Sequence, residues 1–372
     1  MASTRLQELQ QQVGQLMIVG FDGTEMSARV RTLLATIQPA GTIFFKRNVA
    51  TAEQTWKLNY EAQAAVSTPL FRCVDLEGGT VDRLRDAVAP APSLSNVAAT
   101  GSKKVMRRFA RTLAAEARAL GFNTDFAPVF DLRTVESVKV LAGRTIAADP
   151  KHIIELAREF LKGFKDENVL GCGKHFPGLG AGAVDSHYEL PTISKPWKAL
   201  WEEDLLPYRK LKDEIAFAMV AHCVYPNATK EKAPASISRF WMTDILRKKI
   251  GFKHLICSDD MEMKGVQKAV SIEEACIQAV RGGADLFLVC NNESLVWRCF
   301  HAVLREAERD KSFAKQIAAA SRRVFEFKKR SRAVRAKFNP APTLRTVDKL
   351  RRTIWELTEE VRYSSPNPER AL

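Results

Sequence analysis

The 372-residue sequence has no apolar run near the roughly 20 residues that a membrane span requires. Its first residues, MASTRLQELQQQVGQ, are polar where a secretory leader would carry an unbroken apolar stretch and a small-residue cleavage site. Both absences lead to the expectation of a cytoplasmic protein without a membrane partner. Cysteine is sparse and scattered, at 73, 172, 223, 257, 276, 290 and 299, so no CxxC zinc or redox element is present and buried reduced thiols are expected rather than disulfides. Neither GxGxxG nor GxxxxGK[ST] follows an early strand pattern, which argues against a nucleotide-binding, doubly wound sheet. No repeat of fixed period appears, and no flexible linker divides residues 10–330.

What is present is a globular composition, 46% hydrophobic and 27% charged, long enough to bury a sizeable core. The balance is basic, with 57 Lys and Arg against 43 Asp and Glu for a net charge of +14. Much of the excess falls in residues 328–352, where ten Lys or Arg accompany the single acid Asp348. No aromatic stacking pattern goes with these charges, so the segment reads as a solvated helix end and tail, and a nucleic-acid partner is not expected.

Eight short apolar runs alternate with amphipathic stretches: LMIVGF (16–21), TIFFK (42–46), LFRCVD (70–75), TDFAPVF (124–130), LGCGKHF (170–176), AFAMVAHCV (216–224), HLICSDD (254–260) and LFLVC (286–290). Helical patterns such as VMRRFARTLAAEARALG and HIIELAREFLKGFKDE separate them. This rhythm predicts an α/β fold, a (β/α)8 TIM-type barrel spanning residues 1–338, whose reactive groups gather at the C-terminal strand ends. The NPAP stretch then breaks the pattern, and 339–372 is expected to be a basic helical extension.

Polar residues collect where those strand ends should be: Asp75, Glu77, Asp131, Lys174, His175, His222, Asp259 and Asp260. Ionisable groups converging on one barrel mouth are costly to bury without a function, which favours an active site. In GCGKHFPGLGAGAVDSHYELP (171–191), a glycine-rich loop presents Asp185 and His187 two residues apart. In extended chain both project to one side, so the carboxylate can orient the imidazole and the pair can shuttle a proton near neutral pH. In CSDDMEMKGV (257–266), adjacent strand residues point to opposite sides, so one of Asp259 and Asp260 should face the cavity while the other braces a loop or helix.

These segments resemble the catalytic domain of glycoside hydrolase family 3, in particular the single-domain bacterial β-N-acetylglucosaminidases of cell-wall recycling. The resemblance covers roughly residues 10–330 and rests on VGQLMIVGFDGTEM, DLEGGTVDRL, DFAPVFDL, GRTIAADP, KHFPGLG with VDSH, AHCVYP, SDDMEMKG and GGADLFLVCNN, in that order. It implies that Asp259 is the nucleophile, that His187 is the general acid and base, and that Asp185 is its partner. It also implies sugar-binding roles for Asp75, Arg83, Arg144, Lys174 and His175, and a place in the site wall for His222. Where relatives carry a His and an Asp in the glycine loop this chain has Leu179 and Ala181, and where they carry an Arg after the EGG element it has Thr80.

The implied activity is retaining hydrolysis of terminal β-linked N-acetylglucosamine from a small carbohydrate, such as a muropeptide or chitooligosaccharide fragment, without cofactor or metal. A phosphorylase using the same residues is an alternative, since a histidine donor does not repel phosphate. A β-glucosidase is another, though KHFPG with DSH resembles the hexosaminidase branch. A metal-dependent barrel hydrolase could in principle draw on His175, His187, His222 and Asp259, yet such barrels usually place an HxH pair after the first strand and here no histidine precedes His152. The non-enzymatic alternative is a degenerate barrel that binds an anionic polymer through its basic C-terminal region. Oligomeric state is not legible.

Overall fold

The computed structural model describes residues 2–182 and 189–364. Each of the eight apolar runs supplies a strand: β1 (Met17–Val19), β2 (Gly41–Phe44), β3 (Phe71–Val74), β4 (Thr124–Asp125), β5 (Cys172–Phe176), β6 (Phe217–Val220), β7 (Leu255–Asp260) and β8 (Leu286–Val289). All pair in parallel in the order β4-β3-β2-β1-β8-β7-β6-β5. The two ends of that series meet: Asp125 N donates to Leu170 O at 2.9 Å, Cys172 N to Ala127 O at 2.8 Å and Phe130 N to Lys174 O at 2.7 Å. The sheet is therefore a closed (β/α)8 barrel, and closure leaves no edge strand exposed.

Both faces of a parallel barrel are covered, which is why its strands read as continuous apolar runs. Ile18, Ile43, Phe71, Cys73, Phe126, Cys172, Phe217, Met219, Cys257 and Leu288 form one buried cluster inside the barrel. Phe217 stands edge-on to Phe71 and Phe126, with ring centroids 5.1 and 5.8 Å away. The intervening strand residues, among them Met17, Val19, Phe44, Val74, Ala218 and Ile256, join the helices in a second, outer core. All seven cysteines are buried thiols.

The connecting helices begin at residues suited to the task. Ser27, Thr51, Ser102, Asp149, Ser271 and Asn292 each accept a backbone N–H of the following turn, a contribution of about 1 kcal/mol apiece. The helix Ile272–Gly282 stops at Gly283, which adopts the left-handed conformation (φ 111°).

Two local features depart from the sequence-based expectation. The run 124–130 is regular strand only over Thr124–Asp125, because Pro128 has no N–H for the ladder; a single bridge joins Val129 to Lys174 further on. A small antiparallel hairpin, Leu76–Gly78 with Val81–Asp82, follows β3 and turns through Gly78 and Gly79, both at positive φ.

At the barrel's lower end, the helix Lys311–Arg330 brings Val324 and Phe327 against the interior cluster. Lys328, expected in a solvated segment, is buried there. Its Nζ donates to Gln15 Oε1 at 2.8 Å and lies 5.0 Å from the centroid of the Phe71 ring. Beyond it Phe338 packs against Trp56 and Tyr60, and the helix Leu344–Ser364 lies on the helix Lys103–Ala119, burying Val347, Ile354, Leu357 and Val361. Among the described residues no helix is long and apolar enough to cross a membrane.

Candidate active site

A cavity of about 280 Å³ opens at the C-terminal strand ends. Asp75, Arg83, Arg144, Lys174, His175 and Asp259, from four separate motifs, all line it. His222 does not. Its buried ring has Nδ1 2.6 Å from Ser236 Oγ and Nε2 2.9 Å from the carbonyl oxygen of Asp260, so it sits behind the β7 end rather than in the wall. Asp185 and His187 lie outside the described residues.

Ordinary strand alternation would send Lys174 and His175 to opposite faces, and likewise Asp259 and Asp260. The register of β5 against β6 shifts between Lys174 and Phe176, and that of β8 against β7 shifts where Leu286 faces Cys257 and Leu288 faces Asp260. Such irregularities turn the strand about its axis, and all four residues border the cavity.

Glu77 joins two cations on one wall. It accepts Arg144 through Nε at 2.8 Å and Nη2 at 2.9 Å, and Lys174 Nζ at 2.5 Å; Lys174 Nζ also reaches Asp75 Oδ1 at 2.9 Å. Burial alone would raise the Glu77 carboxyl, but the charges of Arg144 and Lys174 outweigh it and hold the group well below its usual range. Burial likewise opposes the Lys174 charge, and Asp75 and Glu77 reverse that and keep the ammonium protonated. The wall is thus a fixed, ionised lattice that presents donors and acceptors without a large net charge.

Asp131 governs His175. One carboxylate oxygen lies 2.6 Å from His175 Nδ1 and accepts the His175 backbone N–H at 3.2 Å, while the other accepts Leu179 N at 2.7 Å. A neutral imidazole therefore carries its proton on Nδ1 and leaves Nε2 as the nitrogen available to a ligand. Arg83 has a buried Nε without a partner among the described residues, and its guanidinium lies 5.7 Å from the centroid of the Phe45 ring. Phe126, Met219, Met263 and Leu288 add apolar surface.

Asp260 is the bracing acid. Oδ1 accepts Glu262 N at 3.0 Å and Cys290 N at 3.3 Å, and Oδ2 accepts Asn291 Nδ2 at 2.9 Å. Burial, reinforced by Glu262 and Asp259, pushes its carboxyl up to about 7. Asp259 Oδ1 accepts the Asp260 N–H at 2.8 Å. Among the described residues no group of three His, Cys, Asp or Glu is arranged to hold a metal.

In the sequence Glu77 and Asp131 stand out only as strand-end acids without a role, and no motif marks Phe45 or the wall segment Val140, Leu141 and Ala142, which also line the cavity. Thr80 and Leu179, two positions at which the sequence departs from the pattern it resembles, line the cavity.

Comparison with known proteins agrees with the barrel fold. The glycosyl hydrolase family 3 N-terminal domain matches residues 8–327. A beta-hexosaminidase from Idiomarina loihiensis is 36% identical over 286 residues, covering 76% of this chain and 85% of that protein. A glycoside hydrolase family 3 beta-N-acetylglucosaminidase from Paenibacillus sp. superposes with a TM-score of 0.87 at 31% identity, over 95% of this chain and 68% of that one. NagZ from Neisseria gonorrhoeae, solved in complex with N-trifluoroacetyl-D-glucosamine, gives a TM-score of 0.71 at 28% identity, over 84% of this chain and 98% of that one. With the family domain matched over most of its length, the chain belongs to glycoside hydrolase family 3.

Proposed function

We propose that this protein is a retaining β-N-acetylglucosaminidase that removes terminal, non-reducing N-acetylglucosamine from small β-linked carbohydrates such as muropeptide or chitooligosaccharide fragments. The observation that carries the reading is the convergence on one small cavity of Asp259, the Glu77-centred lattice and an Arg83 Nε that has no partner among the described residues. Fixed acceptors and donors around a compact volume suit a single polyhydroxylated ring, and a buried orphan donor is best explained by a ligand oxygen. The beta-hexosaminidase relative and the two N-acetylglucosamine-related structures point to the same sugar.

In this reading the Asp259 carboxylate attacks the anomeric carbon as the glycosidic C–O bond breaks, and the leaving oxygen takes a proton from His187. A water that returns its proton to His187 then attacks the same carbon and frees Asp259, so two inversions give net retention. Asp185 orients the imidazole. Asp75, Arg83, Arg144, Lys174 and His175 hold the sugar hydroxyls, and His222 fixes the carbonyl beside the nucleophile. Asp260, with its carboxyl raised to about 7, is in part uncharged at neutral pH and so does not set a full second anion against Asp259.

Side-by-side assay of aryl β-N-acetylglucosaminide and aryl β-glucoside tests the substrate, with preference for the acetamido sugar expected. Trapping with a fluorinated sugar inactivator should label the peptide containing Asp259, and NMR should show the product first as the β-anomer. A label elsewhere, an inverted product, or sugar 1-phosphate formed in phosphate buffer would overturn the reading.

A further inference from the structure

Glu116 occupies the inner face of the helix Lys103–Ala119. It is wholly buried, and neither carboxylate oxygen has a hydrogen-bond partner among the described residues. The helix packs on the hairpin strand Leu76–Gly78, where Leu76 pairs with Asp82 and donates its N–H to Asp125 of β4, and these two acids are the charged groups that act on Glu116. These are buried too. Asp82 accepts Leu84 N at 3.2 Å and Ala91 N at 3.0 Å; Asp125 accepts Leu76 N at 3.0 Å through Oδ1, while its Oδ2 has no partner among the described residues.

Three carboxyl groups therefore converge behind the segment that runs from Asp75 to Ala91, and that segment delivers Asp75, Glu77, Thr80, Val81 and Arg83 to the cavity. The cluster has acceptors in surplus and lacks a donor. Three adjacent anions without a counter-ion would be untenable at this depth, whereas one proton supplies the missing O–H and removes a charge. We propose that Glu116 carries this proton, shared directly or through water with Asp82 and Asp125, and that the resulting carboxyl cluster is a positioning device for the sugar-binding wall.

Among the described residues the cations nearby act on Asp82 and Asp125, and none is among the groups acting on Glu116. Arg85 acts on Asp82 from the loop after the hairpin, and Lys174, Asp75 and Glu77 act on Asp125 from the cavity side. Lys174 is engaged by Asp75 and Glu77. The ion pairs made by the helix's own cations, Lys103–Glu155, Arg107–Asp166, Arg108 with Glu356 and Glu360, and Arg111–Glu167, are on its solvent-facing sides. Burial, Asp82 and Asp125 all push the Glu116 carboxyl well above its usual range, in keeping with a retained proton.

The proposal rests on the cavity being the sugar site, so its test has one readout through activity and one without. Glu116→Gln keeps shape, neutrality and a donor. It should hold KM at pH 7 within about twofold of wild type and lose the alkaline rise in KM expected of wild type, while Glu116→Leu should raise KM about tenfold with less effect on kcat. Failure of Glu116→Leu to fold beside a folded Glu116→Gln carries the same meaning as the raised KM. A Gln variant as impaired as the Leu variant, unable to fold, or retaining the wild-type alkaline limb overturns the proposal.

Without any substrate, thermal unfolding of the full chain from pH 5 to pH 9 should show wild type losing stability relative to Glu116→Gln as pH rises. The native state holds a proton there that the unfolded chain releases. Parallel pH profiles would sink the cluster. Hydrolysis of neither aryl glycoside by wild type would sink the functional reading and leave the unfolding comparison intact.

Discussion

Asp259 and Asp260 are chain neighbours with separate tasks. Asp260 spends its acceptors on Glu262, Cys290 and Asn291, tying the end of β7 to the loop after β8. Asp259 faces the cavity that the proposed chemistry needs. Its replacement by Ala or Asn should lower hydrolysis of an aryl β-N-acetylglucosaminide by on the order of 10³-fold or more without loss of fold, read by steady-state kinetics and circular dichroism. Near-normal turnover would remove Asp259 from the nucleophile role. Glu77 makes the contrasting case. Glu77→Gln strips Lys174 and Arg144 of their shared anion and leaves buried cations underpaired, so about 3–5 kcal/mol of stability should be lost in urea unfolding along with a raised KM. The motifs made Asp75, Arg83, Arg144, Lys174, His175 and Asp259 legible as a set. They did not reveal that Glu77 is what joins Arg144 to Lys174, because partners 67 residues apart meet only once the barrel has closed. His222 was legible as a strand-end residue, yet sequence gives no sign of which way a side chain leans after β6 has ended at Val220.

Among elements, the strands were readable because burial on both faces writes them as unbroken apolar runs. Their irregularities were not readable. The shifts in β5 and β7 arise from how neighbouring strands register, and they accompany a strand-end arrangement in which Lys174, His175, Asp259 and Asp260 all border one cavity. The same limit applies to the segment after Phe338. Its amphipathic spacing announced a helix, while its seat on the helix Lys103–Ala119 depends on a surface assembled from distant sequence. Leu357 is completely buried in that contact. Leu357→Ala should therefore cost about 2–5 kcal/mol and lower the melting temperature of the full chain. An unchanged melting temperature would show that the terminal helix contributes nothing to the barrel's stability.

For the molecule as a whole, the charge excess suggested a solvated basic tail, and the fold uses one of those cations as an interior group instead. Burial pushes the Lys328 ammonium down to about 7 from an ordinary 10.5. Between these values the unfolded chain holds a proton that the native state releases, so this group makes stability climb as pH rises through the window and withholds it below pH 7. Lys328→Met should be more stable than wild type at pH 7 and lack that climb, as measured by melting temperatures at pH 7 and pH 10. Identical slopes for the two proteins would contradict the argument.

The rings of Phe71, Phe126 and Phe217 close the barrel beneath the catalytic mouth, and the helix Lys311–Arg330 covers them from below. Among the described residues this aromatic layer separates the cavity at the mouth from the lower end of the barrel. A sugar cut from its chain has to withdraw by the entrance it came through before the next chain end can enter. Entry and exit share one threshold, so free N-acetylglucosamine should slow turnover by competing for it, and abundant substrate should relieve that slowing.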